Sequence, residues 1–460
     1  MTVSKALVAS QQPGPIQAVF NLLTNDSLSS QLWVRQIVVV VLSLLVALTG
    51  LFTYLSYGRI VQTIGKDAVP SIVAAERIRT TLADAHTQVV NAFLNKEDAD
   101  GPSMSAYRKS MAQVDDALVE ASQNITYGDD ERKPILTVLT QVSEYERQVG
   151  LALASSTYSE ALGRADALMR DAILPATVAL DEANFKHLDL AYTEDQAQAR
   201  AWRYGFVGLL ICLVAALAET QIKLFKTFRR IVNPYLASGT VVLLLTALIF
   251  AIMSQTIVSD IKTAKEDAFD SVHALSQAQA IAFSANAQES VYLLLNEPQA
   301  KARQTALFNQ SAGALLDVSV QHANQIYGDL KALKGHGLLA EELANITFDG
   351  EDALAKSTAL AWMKYVKIDR QIRALEDSGR HPDAVALCLG AAEGQSDAAF
   401  GDFTKALTAT MNLNQKEFDQ SIASAFSAAN LMWMLLIPML LGPLMGGTLG
   451  IQQRLSEFRE

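Results

Sequence analysis

The stretch QIVVVVLSLLVALTGLFTYLSYG, Gln36 to Gly58, carries no charged side chain across 23 positions. A bilayer core of roughly 30 Å is crossed by about 20 helical residues, so this run predicts a membrane span. A cleaved leader fits poorly, because its apolar region is shorter, roughly 7–15 residues, and precedes a small-residue cleavage site. Three more such runs follow. Tyr204–Ala218 is uncharged and stays apolar past Glu219 to Ile222; Ile231–Ser259 and Ser421–Gln453 are also free of charge. Half of the 460 residues are hydrophobic and 18% are charged. Spans are therefore expected at residues 37–57, 204–222, 238–258 and 430–450.

Orientation follows from the short segments beside the spans, where basic residues are retained on the cytoplasmic side. The link ETQIKLFKTFRRIVNPY carries Lys223, Lys226, Arg229 and Arg230 against the single acid Glu219. Arg35 precedes the first span, and Arg454 and Arg459 follow the last. Residues 1–36, 223–237 and 451–460 are thus expected to be cytoplasmic, in a plasma (inner) membrane protein. Residues 58–203 and 259–429 are expected outside. Segments 59–200 and 259–427 each hold 14 basic and 22 acidic residues, so the chain's net charge of −11 belongs to the outer regions. That balance argues against a nucleic-acid partner.

Within the outer regions, apolar residues recur at intervals of three and four, the spacing of one helix face. Ala75, Ile78, Leu82, Ala85, Val89 and Ala92 make the first stripe. Tyr107, Met111, Val114, Leu118, Ala121 and Ile125 make the second, and Ile135, Leu139, Val142, Tyr145, Val149 and Ala152 the third. A long helix follows, with breaks at NKEDADGPS and TYGDDERKP. Pro70 and Pro175 are expected to kink the membrane-linked helices. Ala280, Phe283, Ala287, Val291 and Leu294 begin a second set about 200 residues later. The predicted fold is all-α: four transmembrane helices and two extracytoplasmic up-down four-helix bundles arising from internal duplication. A surplus near residues 376–400 is assigned to an insertion between the third and fourth helices of the second bundle, with an extra short helix after Pro382.

NITYGDD (Asn124–Asp130) and NQIYGDL (Asn324–Leu330) are read as corresponding turns. Gly128 and Gly328 suit a left-handed residue just past a helix, Asp129 and Asp329 suit the cap of the next, and Tyr127 and Tyr327 suit packing beneath the turn. Substituting Gly128 and Gly328 is expected to cost folding rather than signalling alone.

No phosphate loop, HExxH, CxxC or supported Ser-His-Asp arrangement occurs, so no catalytic residue, metal site or cofactor is expected. The six histidines are expected on the surface, and Asp115-Asp116 and Asp129-Asp130 on a solvated face or at a helix start. The two cysteines, Cys212 in a span and Cys388 outside, cannot pair as placed. No charge lies near the middle of a span, which disfavours a transport pathway. Gly442-x-x-x-Gly446-x-x-x-Gly450 fits either helix association in a homodimer or packing within the four spans. Lys223, Lys226, Arg229 and Arg230 fit a partner or anionic membrane lipid, or a topology signal alone. Trp33, Trp202, Tyr54 and Tyr57 suit interfacial anchors. The cytoplasmic segments are too short to hold an output domain, so any signal must be carried onward by another protein.

Several stretches carry a closer resemblance: LADAHTQVVNAFLN (Leu82–Asn95), ALMRDAILPATVALDEANFKHLDLAY (Ala167–Tyr192), QESVYLLLN (Gln288–Asn296), AVALCLGAAEGQSDAAFGDFTKAL (Ala384–Leu407) and GIQQRLSEFRE (Gly450–Glu460). In this order they resemble an actinobacterial family of four-span membrane proteins with two extracytoplasmic helical domains. That resemblance implies association with a glutamine-type solute-binding lipoprotein outside and a serine/threonine kinase, protein kinase G, inside. It implies a non-enzymatic relay of amino-acid availability, of the aspartate, glutamate and glutamine class. Arg380, His381 and Asp383 in the distal insertion are the expected docking residues for the lipoprotein. The alternatives are a membrane subunit associated with amino-acid transport and a structural envelope protein.

Overall fold

Apolar residues spaced by three and four become helices throughout. The computed structural model describes residues 28–126, 128–155, 158–228, 232–317 and 337–456, and among the described residues helix is the only regular structure. In chain order the helices are α1 (Leu28–Gln62), α2 (Val69–Leu94), α3 (Pro102–Gln123), α4 (Asp129–Ala154), α5 (Ser159–Leu168), α6 (Leu174–Phe228) and α7 (Pro234–Lys262). Then come α8 (Asp270–Leu294), α9 (Pro298–Leu315), α10 (Leu338–Ala344), α11 (Glu351–Asp377), α12 (His381–Cys388) and α13 (Ser396–Ser456). Four uninterrupted helical runs, Ser29–Leu94, Ser159–Thr227, Pro234–Leu294 and Ser396–Ser456, are long and apolar enough to cross a membrane. Each contains one of the expected spans, which makes the chain a multi-pass membrane protein.

Three of these runs contain a wider π-helical turn, at Thr63–Ala68, Met169–Ile173 and Thr263–Phe269. The first two end two residues before Pro70 and Pro175. A proline removes one backbone donor and crowds the carbonyl of the preceding turn; here the disturbance expected at both prolines takes the form of a widened turn within a continuous helix. The third turn has no proline beside it. Pro438 and Pro443, by contrast, lie inside α13 without ending it. Backbone groups freed by proline in a membrane helix are satisfied by its neighbours.

The chain divides into two units, one of residues 1–60, 193–259 and 424–460, the other of residues 61–192 and 260–423. In the first, α7 and α13 approach at the level of their backbones. A methyl group placed on Gly446 would lie 2.6 Å from the Tyr235 carbonyl oxygen, and one on Gly239 would lie 2.5 Å from that of Gly442. Asn233 seals the end of the contact. Its Nδ2 donates to the Gly450 carbonyl at 2.9 Å, and its Oδ1 accepts from the backbone N–H of Tyr235 and Leu236. The Gly442, Gly446 and Gly450 stripe therefore serves packing within one chain. Tyr57 is buried in the same unit and accepts a hydrogen bond from Ser254 at 3.1 Å, rather than anchoring at a lipid interface.

The second unit holds two helical bundles, each with its own core. Ile78, Leu82, Val114, Val138, Tyr145 and Ile173 lie in the first core. The second is aromatic, with Phe308, Trp362, Tyr365, Phe400 and Phe403 in contact. The stripes read from the sequence are buried or half-buried with two exceptions. Leu139 faces outward and Val138 takes its place, and Ile125 is exposed beyond the end of α3. The extra helix expected after Pro382 is α12, whose Ala384 and Cys388 are buried.

The turn before α4 differs from the expected one at Gly128 and Asp129. Gly128 has φ +66° and ψ −127°, a conformation open to glycine rather than the left-handed helical one, and it stands at the start of α4 rather than past the end of α3. Glu131, not Asp129, completes the turn: its carboxylate accepts the Thr126 N–H at 2.6 Å, in the manner of a capping box. Asp129 instead pairs with Lys133 at 3.3 Å. Thr126 donates to the Asn124 carbonyl, and Asn124 Nδ2 donates to Ser71 at 2.9 Å. The same bonds recur at Asn345-Ile346-Thr347. Glu351 accepts the Thr347 N–H at 2.6 Å, Thr347 donates to the Asn345 carbonyl, and Asn345 donates to Ser271 at 3.1 Å. The counterpart of NITYGDDE is thus NITFDGE, 221 residues later. Tyr127, Tyr327, Gly328 and Asp329 lie outside the described residues.

Replacing Gly446 by Leu is expected to lower the thermal midpoint of the detergent-solubilised chain, by the equivalent of about 1–3 kcal/mol for overpacking. Gly208→Leu, at a glycine with open space around it, is the control and should leave the midpoint unchanged.

Candidate functional site

Helices α2 and α8 are apolar on more than one face. Beyond the stripe that each gives to its own bundle, each buries a second row against the other helix. Ala83 and Val90 on α2 and Ala280 and Ala287 on α8 are nearly or wholly inaccessible without belonging to the core of either bundle, and the alanines among them let two helix backbones approach closely. The tips are exchanged: Leu94 packs into the core of the second bundle and Leu294 into that of the first. Hydrogen bonds cross the seam, from Thr87 to the Phe283 carbonyl at 3.2 Å and from Ser290 to Asn91 Oδ1 at 2.7 Å. Burying polar groups costs free energy unless they are paired, and these two bonds satisfy the hydroxyls of Thr87 and Ser290 across the seam.

Three polar clusters lie along or beside this seam. In one, Glu76 of α2, Asp181 of α6 and His273 of α8 converge, their ligand-type atoms all within 4.8 Å of one another. His273 Nε2 is 3.0 and 2.9 Å from the two Asp181 oxygens. The Gln277 amide lies 3.3 Å from Asp181 and 3.1 Å from His273 Nε2. Phe185 stacks on the imidazole at 4.6 Å between centroids. Neither oxygen of Glu76 receives a hydrogen bond; Arg79 Nη1 is 3.6 Å away. Burial, and then the Asp181 charge, push the Glu76 carboxyl up to about 8.

In the second cluster, His86 contacts Tyr145 at 3.2 Å and Asp166 at 3.3 Å, and Arg170 donates to Asp166 at 2.5 Å. Burial works against the Asp166 carboxylate, but His86 and Arg170 outweigh it and hold the group below its ordinary range. Beside it opens a cleft of about 400 Å³ between the bundles, lined by Arg79, His86, Arg170, Ser284, Gln288 and Gln304 among others. Gln304 is buried with its Oε1 unpartnered. The cleft has the size and mixed polarity of a small-molecule site.

The third cluster surrounds Glu289, which is 1% exposed and accepts from Ser396 at 2.6 Å and Cys388 at 3.5 Å. Burial, then the nearby Asp369, push its carboxyl well up. Asp369 itself is held in a two-bond pair by Arg373 at 2.8 and 2.9 Å. Burial pushes the Cys388 thiol up as well, so it is a packed, unreactive cysteine.

The residues singled out from the sequence stand elsewhere. Arg380 and Asp383 pair at 2.7 Å and His381 contacts Glu376 at 2.8 Å, all exposed around the start of α12. They form a surface group, not part of the seam. Lys226 is exposed and Lys223 half-buried near the end of α6; Arg229 and Arg230 lie outside the described residues. Cys212 and Cys388 are both free. The surface placement expected for histidines fails at His86 and His273, because α2 and α8 have no solvated face there. Ala-rich spacing in ALSQAQAIAFSANA was the available signal: a helix with small residues on several faces has neighbours on several faces.

A further buried pair, Glu342 and Glu351, gives a pH dependence. Glu351 is held as an acceptor by the N–H groups of Thr347 and Phe348. Burial, then the Glu351 charge, push Glu342 up to about 7 from 4.5. Between those values the folded chain binds a proton that the unfolded chain does not. Stability is therefore full below the unfolded pKa and falls as pH rises through about 7. Glu342→Gln should flatten the decline of thermal midpoint between pH 4.5 and about 7, the window set by that shift. An unchanged slope would show that Glu342 is ionised in the fold.

Residues 60–193 match the family model described as an actinobacterial sensor domain. These bounds coincide with the part of the second unit, Val61 to Tyr192, that forms the first bundle. No curated protein and no solved structure matches the chain. The first bundle is accordingly similar to an actinobacterial sensor domain, and a sensing or signalling role follows for a multi-pass membrane protein that carries it.

Proposed function

We propose that this chain is a non-catalytic transmembrane relay whose two helical bundles lie outside the plasma membrane and whose output is taken up by a separate protein inside. The observation that carries this reading is the sensor-domain match over a bundle whose first and last helices continue as spans. The paired NIT turns and the π-helical turns that begin at Thr63 and Thr263, at the head of each bundle, support an origin of the second bundle by duplication of the first. The basic link after Ile222 supports cytoplasmic termini and external bundles. The resemblance to the four-span actinobacterial family supports the finer reading: a solute-binding lipoprotein reports amino acids of the aspartate, glutamate and glutamine class, and a cytoplasmic serine/threonine kinase receives the signal. Arg380, His381 and Asp383 are the proposed docking group, and Lys223, Lys226, Arg229 and Arg230 the proposed inner contact.

Orientation is tested with single cysteines. Native Cys388 is buried and silent to reagent, so in a Cys212→Ser background Arg380→Cys should react with an impermeant maleimide on intact cells. Lys226→Cys should react only after permeabilisation; the opposite pattern would invert the proposal. For docking, removal of the whole α12 would uncover the second core, since Ala384 and Cys388 belong to it. The triple variant Arg380→Ala, His381→Ala, Asp383→Ala is the better probe. It should lose co-purification of the lipoprotein from cross-linked native membranes while inserting normally, and retained co-purification would remove this surface from the account.

A further inference from the structure

The cluster formed by Glu76, Asp181, His273 and Gln277 crowds two acids, an imidazole and an amide around one point, and protons satisfy it only if the two carboxyls share one. Three contacts join three atoms: His273 Nε2 to Asp181 at 2.9 Å, Gln277 to Asp181 at 3.3 Å, and Gln277 to His273 Nε2 at 3.1 Å. While Asp181 is ionised, His273 Nε2 must carry a proton to satisfy the first. The amide nitrogen of Gln277 facing both then sets donor against donor at His273. Its oxygen facing both sets acceptor against acceptor at Asp181, and the two orientations are interchangeable in shape. Beside them Glu76, 3% exposed, turns both oxygens into the protein without receiving a hydrogen bond. Buried groups of this kind are normally satisfied. With a cation at the centre, a carboxylate oxygen from each acid, the imidazole nitrogen and the Gln277 oxygen all become electron-pair donors, and the conflict disappears.

We propose that Glu76, Asp181, His273 and Gln277 form a binding site for one divalent first-row transition-metal ion that ties the two bundles together. Two carboxylates and an imidazole are the donor set of zinc and manganese, whereas an all-oxygen set would suit magnesium or calcium. The three principal donors come from three helices, α2 and α6 in the first bundle and α8 in the second, and their atoms are within the 4.8 Å that a shared ion requires. Formal charge agrees: with both carboxylates ionised as ligands, the Arg79 guanidinium offsets one negative charge and a divalent ion would offset the other. Gln277 follows His273 by one helical turn, which puts both on one face of α8. The Phe185 ring stacked on His273 fixes the plane of the imidazole. This inference stands apart from the relay reading, because it concerns a metal and needs neither the lipoprotein nor the kinase.

The test uses the full chain in detergent after chelator treatment, titrated at pH 7 with Zn²⁺ or Mn²⁺ and, as a control, Mg²⁺. Calorimetry should show one saturating site for Zn²⁺ or Mn²⁺ and none for Mg²⁺, and the same ion should raise the thermal midpoint. Glu76→Gln, Asp181→Asn and His273→Gln should each weaken binding at least tenfold. His187→Gln, which alters an exposed histidine paired with Asp130, should leave it unchanged. Co²⁺ provides a readout on the wild-type chain itself, through intense visible absorption from low-coordinate nitrogen and oxygen ligation, should a variant fail to fold. The proposal is overturned if the wild-type chain shows no saturating site, or if Glu76→Gln and His273→Gln bind as the wild type does. It is equally overturned if Glu76→Gln merely stabilises the chain and added metal does nothing, which would mean a proton occupies the site.

Discussion

The direct packing of α2 on α8 is the constraint from which the rest of the second unit follows. A helix in an isolated bundle needs one apolar stripe and leaves its other face to water. These two helices each serve two neighbours, so alanines occupy the close approach and the polar residues left on that face are buried. Glu76, His86, Thr87 and Asn91 on α2 and Asn286, Glu289 and Ser290 on α8 are all buried. Their pairing with residues of α6, α11 and α13 then determines which helices sit beside the seam. Helices α2 and α8 are also the ones that continue, through π-helical turns, into the first and third apolar runs. A change in how they pack is thereby coupled by covalent continuity to the spans.

Such a seam is well suited to switching. Its apolar contacts are made by small side chains, each removing little surface from water, while its polar contacts are few, specific and costly to leave unpaired. Two arrangements of the same seam can then differ by little free energy, and a ligand or partner with modest preference for one can shift the balance. The cleft beside it and the buried Glu342 carboxyl, pushed up to about 7, give such preferences places to act.

How much of this was legible in the sequence depends on how local the signal is. The four spans are long uncharged runs, and each appears within one of the four long helices. The three apolar stripes of the first bundle were readable because each follows a single helix face, and they fail only at Leu139 and Ile125. The seam was not readable from a stripe, since burial on a second face has no periodicity of its own. Treating His86 and His273 as surface residues was the cost. The proposed repeat finds its hydrogen-bonded match at Asn345-Ile346-Thr347 rather than at Tyr327, Gly328 and Asp329, which lie outside the described residues. Tyr-Gly-Asp is a short match of turn-forming residues that recurs by composition, whereas Asn-Ile-Thr with a glutamate beyond it is a hydrogen-bonded unit that the fold uses twice. Asp129 drew attention as a cap because Asp is a favoured cap residue, yet Glu131, set two positions deeper, reaches back to the free N–H.

The central claim is the proposed relay, which requires the packing of the α2–α8 seam to change with the signal. Cysteines replacing Asn91 and Ser290, whose side chains are hydrogen-bonded across the seam at 2.7 Å, report on it directly when placed in a Cys388→Ser background. Disulfide formation in native membranes should be efficient, and its rate should change severalfold when aspartate or glutamate is added together with the solute-binding lipoprotein. A cross-link that forms at the same rate under every condition would contradict the claim, and would leave the seam as a fixed structural joint.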